Sequence, residues 1–131
     1  MTEKLEMYRC KICGNFVQVI LDGYGELVCC GEAMEKINPN TTEEVKTEYH
    51  IPVYKYTGKD GIVIQVGVEP HPMIKEHYIM FIETISEDKK RVKLQYLEPG
   101  DQPKMLLESK IGKENALAFC NLHGLWRGES D

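Results

Sequence analysis

Four of the chain's five cysteines lie between residues 10 and 30, as Cys10-Lys11-Ile12-Cys13-Gly14 and Cys29-Cys30-Gly31. No other feature restricts the possible folds so strongly. A segment of about 37 residues buries too little apolar surface to hold itself together, so such segments are stapled by a metal or by disulfides. Fifteen residues separate Cys13 from Cys29, a spacing suited to the two halves of a tetrathiolate site. The opening residues carry Glu3 and Glu6 and no apolar signal core, so export is not expected and the chain is assigned to the reducing cytoplasm. Metal ligation is therefore expected in preference to disulfides or free thiols. The second pair is unusual because its members are adjacent. Neighbouring side chains on extended backbone point to opposite faces, so both sulfurs reach one ion only where the chain turns locally.

Residues 1–37 read as this small module, 38–43 as a polar linker containing Pro39, and 44–131 as a second domain. Beyond the linker a two-residue period dominates. Strands are expected at 50–56, 62–68, 78–85 and 91–97, with shorter ones at 104–107 and 116–119, and one at 16–21 within the module. Turn material separates them, as in Thr57-Gly58-Lys59-Asp60-Gly61, Ser86-Glu87-Asp88-Lys89 and Pro99-Gly100-Asp101. Six or seven short strands and no long helix imply a mainly β chain, with an antiparallel β-sandwich following the module. No apolar run approaches the ~20 residues of a membrane span. A net charge of −5 argues against a nucleic-acid surface. The charge runs at 43–48 and 87–91 read as solvated loops.

The remaining cysteine lies in Phe119-Cys120-Asn121-Leu122-His123-Gly124-Leu125-Trp126, where Gly124 lets the backbone fold sharply around a thiol and an imidazole. The other three of the chain's four histidines are His50, before Pro52, and His71 and His77, in Pro70-His71-Pro72-Met73-Ile74-Lys75-Glu76-His77. Flanked by prolines, His71 cannot sit inside a regular ladder, and His77 is expected to open a strand. Loops on a rigid sandwich are common places to build a site. Two sets of soft or borderline ligands imply two metal sites.

Taken together, these segments resemble the superoxide reductases, specifically the two-iron form called desulfoferrodoxin. The matching motifs are the tetracysteine module, Glu48-Tyr49-His50, His71-Pro72-Met73 with His77-Tyr78, and Cys120-Asn121-Leu122-His123-Gly124. The adjacent cysteines resemble desulforedoxin, whose iron tetrathiolate is distorted, and so favour iron over zinc. The resemblance implies an immunoglobulin-like sandwich and two irons per chain. Cys10, Cys13, Cys29 and Cys30 would hold one. The other would take four equatorial imidazoles, His50, His71, His77 and His123, with the Cys120 thiolate axial. Such a set leaves a sixth position open, and the thiolate enriches the metal in electrons as an axial cysteine does in haem proteins. The implied activity is one-electron reduction of superoxide to hydrogen peroxide, with a rubredoxin-like external donor. Glu48 is implied to cap the sixth position in the oxidised state, and the assembly is implied to be a homodimer.

The sequence departs from the family at position 49, where lysine is usual. Tyr49 is neutral at pH 7, so positive potential that attracts an anion must be weaker or come from elsewhere. Lys75, between two expected ligands, is the candidate. A unit charge ~6 Å from an anion is worth about 0.7 kcal/mol in bulk water, which predicts slower capture and not a different reaction. Two other classes compete. An electron-transfer protein using only the tetrathiolate iron leaves Cys120 and the histidines without a role. A zinc-ribbon adaptor is disfavoured by Cys29-Cys30.

Overall fold

The computed structural model describes residues 1–42, 49–57, 61–108 and 112–130, and among these residues every regular element is a β-strand. The backbone divides into two compact units, Met1–Asn38 and Pro39–Asp131. The first contains β1 (Met7–Arg9), β2 (Phe16–Gln18), β3 (Val28–Cys29), β4 (Glu32–Ala33) and β5 (Glu35–Ile37). β1 pairs antiparallel with both β2 and β5, while β3 and β4 form a separate hairpin. Strands of two or three residues are too short for a two-residue period to register, so four of these five could not be read from the sequence. The strand expected at 16–21 is present but ends at Gln18. Buried apolar residues here are few: Met7, Cys10 and Val19. That confirms on physical grounds that burial alone is a weak hold on this unit.

The second unit contains β6 (Pro52–Tyr56), β7 (Ile62–Val66), β8 (Ile79–Ser86), β9 (Val92–Tyr96), β10 (Lys104–Leu107), β11 (Glu114–Cys120) and β12 (Gly124–Glu129). They form two sheets, ordered β10-β7-β6 and β12-β11-β8-β9, with antiparallel pairing throughout. Ile62, Ile64, Val66, Met105 and Leu107 come from the first sheet, and Ile79, Ile82, Ala116, Ala118 and Cys120 from the second; all share one core. Fully burying an isoleucine or valine side chain contributes about 1.5–3 kcal/mol. The fold is thus the antiparallel sandwich the alternation implied. Tyr54 links the sheets, its hydroxyl donating to Glu114 Oε1 at 2.8 Å. Burial, and then the Glu114 carboxylate, push the phenol's pKa up.

β12 is the strand that the alternation did not reveal. Its sequence, Gly124-Leu125-Trp126-Arg127-Gly128-Glu129, interrupts apolar residues with two glycines and two charges. Pairing with β11 along the whole run from Asn115↔Glu129 to Cys120↔Gly124 holds it extended. Gly128 is required by close approach, since a Cβ there would overlap the carbonyl oxygen of Pro52. The start of β6 therefore lies directly on the backbone of β12.

Candidate metal centres

In the first unit, the four sulfurs of Cys10, Cys13, Cys29 and Cys30 all lie within 4.8 Å of one another. Cys13 Sγ is 3.6 Å from Cys29 Sγ, and Cys29 Sγ is 3.9 Å from Cys30 Sγ. A tetrahedron with metal–sulfur bonds of about 2.3 Å has sulfur–sulfur edges of about 3.8 Å, so the cluster fits one ion. Adjacent cysteines share it because the chain turns left-handed at Cys30 (φ +53°) and again at Gly31 (φ +77°). The Cys13 backbone N–H, 3.5 Å from Cys10 Sγ, is the main cause of a Cys10 pKa lowered to about 6. The Cys13 and then the Cys10 sulfur push Cys29 up, and Cys13, Cys10 and Cys29 push Cys30 up to about 12. Four thiolates this close need a cation to coexist.

The second cluster sits at one end of the sandwich. Cys120 ends β11 on its core-facing row and is fully buried. The register between β11 and β8 slips between Phe119 and Cys120, a bulge of the kind that re-aims side chains beside sites. Residues 121–123 then turn the chain into β12 through Gly124 at φ +85°. His50 precedes β6, and both His71 and His77 lie between β7 and β8. His77 was expected to open a strand, but it closes a tight turn with Ile74, and β8 begins at Ile79.

Donor atoms of His50, His77, Cys120 and His123 all lie within 4.8 Å of one another. His71 is outside that set, yet its ring completes the figure. Centroid separations of 4.8 Å (His50–His71), 4.7 Å (His71–His77), 5.1 Å (His77–His123) and 4.9 Å (His123–His50) close a four-membered ring of imidazoles. His50 Nε2 and His123 Nδ1 are 3.1 Å apart. Two nitrogens bound at right angles about 2.1 Å from one ion lie about 3.0 Å apart, so this pair is spaced as adjacent ligands. Cys120 Sγ is 3.8 Å from the same Nδ1, slightly wider than the ~3.1 Å of bound neighbours. The Nε2 atoms of His71 and His77 are buried. His71 Nδ1 is 2.7 Å from the Pro72 carbonyl oxygen, which can only accept, so Nδ1 carries the proton and Nε2 the lone pair. These residues fit a metal.

Two further side chains brace the cluster, and the sequence had given neither a role. Asn121 brackets His77: its backbone N–H donates to the Tyr78 carbonyl, its Oδ1 accepts from the Tyr78 N–H at 3.0 Å, and its Nδ2 donates to the Glu76 carbonyl at 3.1 Å. Trp126 stacks on His50, with centroids 4.6 Å apart and planes 14° from parallel. Such an aromatic pair contributes about 0.5–1.5 kcal/mol beyond its area. Of the other expected site residues, Tyr49 is half-buried beside His50, Lys75 is exposed within the Ile74–His77 turn, and Glu48 lies outside the described residues.

The family model for the desulfoferrodoxin N-terminal domain matches residues 2–37, and that for desulfoferrodoxin matches residues 42–129. A desulfoferrodoxin of Syntrophotalea carbinolica is 46% identical over 129 residues, covering 98% of this chain and 99% of the relative. A superoxide reductase of Pyrococcus horikoshii is 35% identical over 100 residues, 64% of this chain and 87% of that one. The crystal structure of the superoxide reductase from Treponema pallidum superposes with a TM-score of 0.71, covering 97% of this chain and 99% of the other at 24% identity, and so shares the fold. Together with the two clusters, these matches settle the kinship: the chain belongs to the desulfoferrodoxin family.

Proposed function

We infer that the chain is a superoxide reductase with two irons. The observation that carries this reading is the convergence of imidazoles and one buried thiol, from segments up to 73 residues apart, at one end of the sandwich. Cys10, Cys13, Cys29 and Cys30 hold the first iron, and His50, His71, His77, His123 and Cys120 the second. When bound at the second site, ferrous iron supplies the single electron that superoxide needs. With two protons the products balance as one hydrogen peroxide per superoxide, and an external one-electron donor, of the rubredoxin-like class, restores the ferrous state. The chain's own part is to bring four imidazoles into one ring and to set the fully buried Cys120 sulfur beside them, the donors that would hold the metal. Glu48, which the family resemblance implies caps the open position in the oxidised state, directly precedes Tyr49 and His50 in the sequence.

Superoxide generated by a radiolysis pulse tests the reading. The expected yield is one peroxide per superoxide with no oxygen released. Half a peroxide, with oxygen evolution, would mean dismutation and would overturn it. A cytoplasmic location fits the reduced thiols the first site requires. A homodimer fits the exposure of Ile20, Leu21, Tyr24 and Val28 on the small unit, at 69%, 80%, 93% and 58%.

Lys75 supplies part of the attraction that the family usually obtains at position 49. It is exposed, two residues from His77, in a turn fixed by reciprocal 3.0 Å backbone hydrogen bonds between Ile74 and His77. Surface charge is screened over ~10 Å at 0.1 M salt. Lys75→Glu is expected to slow second-order capture of superoxide severalfold at low ionic strength and less at high. Tyr49→Lys is expected to speed it and to steepen its salt dependence. Capture by Lys75→Glu that matches the parent at every ionic strength would remove Lys75 from the mechanism.

A further inference from the structure

Trp126 is the chain's single tryptophan, and it engages two of the proposed ligands at once. Its indole face lies on His50, and its Nε1–H donates to the His123 carbonyl oxygen at 3.1 Å. Its backbone is fixed from both sides. Across β12 it pairs with Ala118, and on the other edge it bridges Asn40. That edge is tied by Asn40 N–H to the Leu125 carbonyl at 2.8 Å and Arg127 N–H to the Asn40 carbonyl at 2.9 Å. Two residues on, Gly128 leaves room for Pro52 to rest on the strand. β12 therefore offers a bare backbone under Pro52 and a broad ring under His50.

We propose that Trp126 is a positioning residue for the second metal site. It sets the plane of the His50 imidazole and anchors the His123 turn, so that Nε2 and Nδ1 stand 3.1 Å apart. A ring already stacked has less rotational freedom to lose on binding. The indole face also favours positive charge on the ring it covers. An imidazole bound to iron shares more positive charge in the ferric state, so the stack lowers the reduction potential of the site. This inference rests on the two-iron reading.

The test uses full-length holoprotein, with the tetrathiolate absorbance as an internal standard. Trp126→Leu removes both contacts, whereas Trp126→Phe keeps a stacked ring and removes the N–H donor. For the leucine variant, iron at the His/Cys site is expected to be lost to a chelator about tenfold faster, the range in which outer-shell partners of metal ligands act. Its midpoint potential should move upward, with the tetrathiolate band unchanged. The phenylalanine variant should fall between on iron retention and stay near the parent potential. In the parent, emission from Trp126 should be quenched in proportion to iron at the His/Cys site. A leucine variant with parental retention and potential would overturn the proposal. So would equal iron loss in both variants with an unmoved potential, which would reduce Trp126 to packing. A parent chain that takes no iron at this site would overturn the two-iron reading itself, and the inference with it.

Discussion

Cys120→Ser is expected to abolish the thiolate-to-iron absorption of the second site and to lower superoxide reduction by at least about a hundredfold, more than the loss of an outer-shell partner brings. The position explains the size of the effect. Cys120 lies on the same buried row as Ala116 and Ala118, fully shielded from water. A serine hydroxyl there stays protonated and neutral, so the site loses its only anionic donor among the described ligands. Without that charge, the oxidised metal is stabilised less and the ferrous form becomes a poorer reductant. The smaller, polar side chain also leaves a buried hydroxyl to satisfy, at about 1–3 kcal/mol. Tetrathiolate absorbance should be untouched, because all four of its ligands precede residue 31. Parental activity in this variant would exclude Cys120 as a ligand of the second metal.

Cys13→Ser should have the opposite distribution of effects. The ferric tetrathiolate colour should disappear while superoxide capture at the His/Cys site persists. Beyond the colour, the first unit should lose its order. Its strands are two or three residues long, and Met7, Cys10 and Val19 supply its buried apolar contacts. For structural zinc in peptides of this size, metal binding supplies about 10–16 kcal/mol and is itself the folding free energy. Protease sensitivity and amide exchange confined to residues 1–38 should therefore rise in the variant. A variant that retains a filled His/Cys site but reduces no superoxide would show that the two centres are not separable.

The two centres were legible in the sequence to different depths. Cys10 and Cys13, then Cys29 and Cys30, are local pairs, and local pairs survive projection onto a string. The sandwich was legible because β7 and β8 lie in near-continuous apolar runs and β9 alternates Val92, Leu94 and Tyr96 with polar residues, each set off by turn material. β12 was not, because what makes it a strand is the pairing with β11 and the missing side chain at Gly128, both properties of distant neighbours. The same holds for Asn121 and Trp126, which stood in quoted motifs without roles. Their value lies in hydrogen bonds to Glu76, Tyr78 and His123 and in a stacked ring, none of which a residue name carries. Nor does a name say which imidazole nitrogen turns toward its neighbours, and His50 and His123 approach each other through different ones.

The imidazole ring and the cysteine cluster also differ in when they can exist. Cys10 to Cys30 form a site from one short, contiguous stretch, available as soon as that stretch is free to fold. The His50–His123 pair spans 73 residues and requires both sheets of the sandwich to have met. Domains fold in order of synthesis, and contacts of long sequence separation form late. The cysteine cluster therefore depends only on order within one short stretch, whereas the His/Cys cluster is complete only once both sheets have closed on each other.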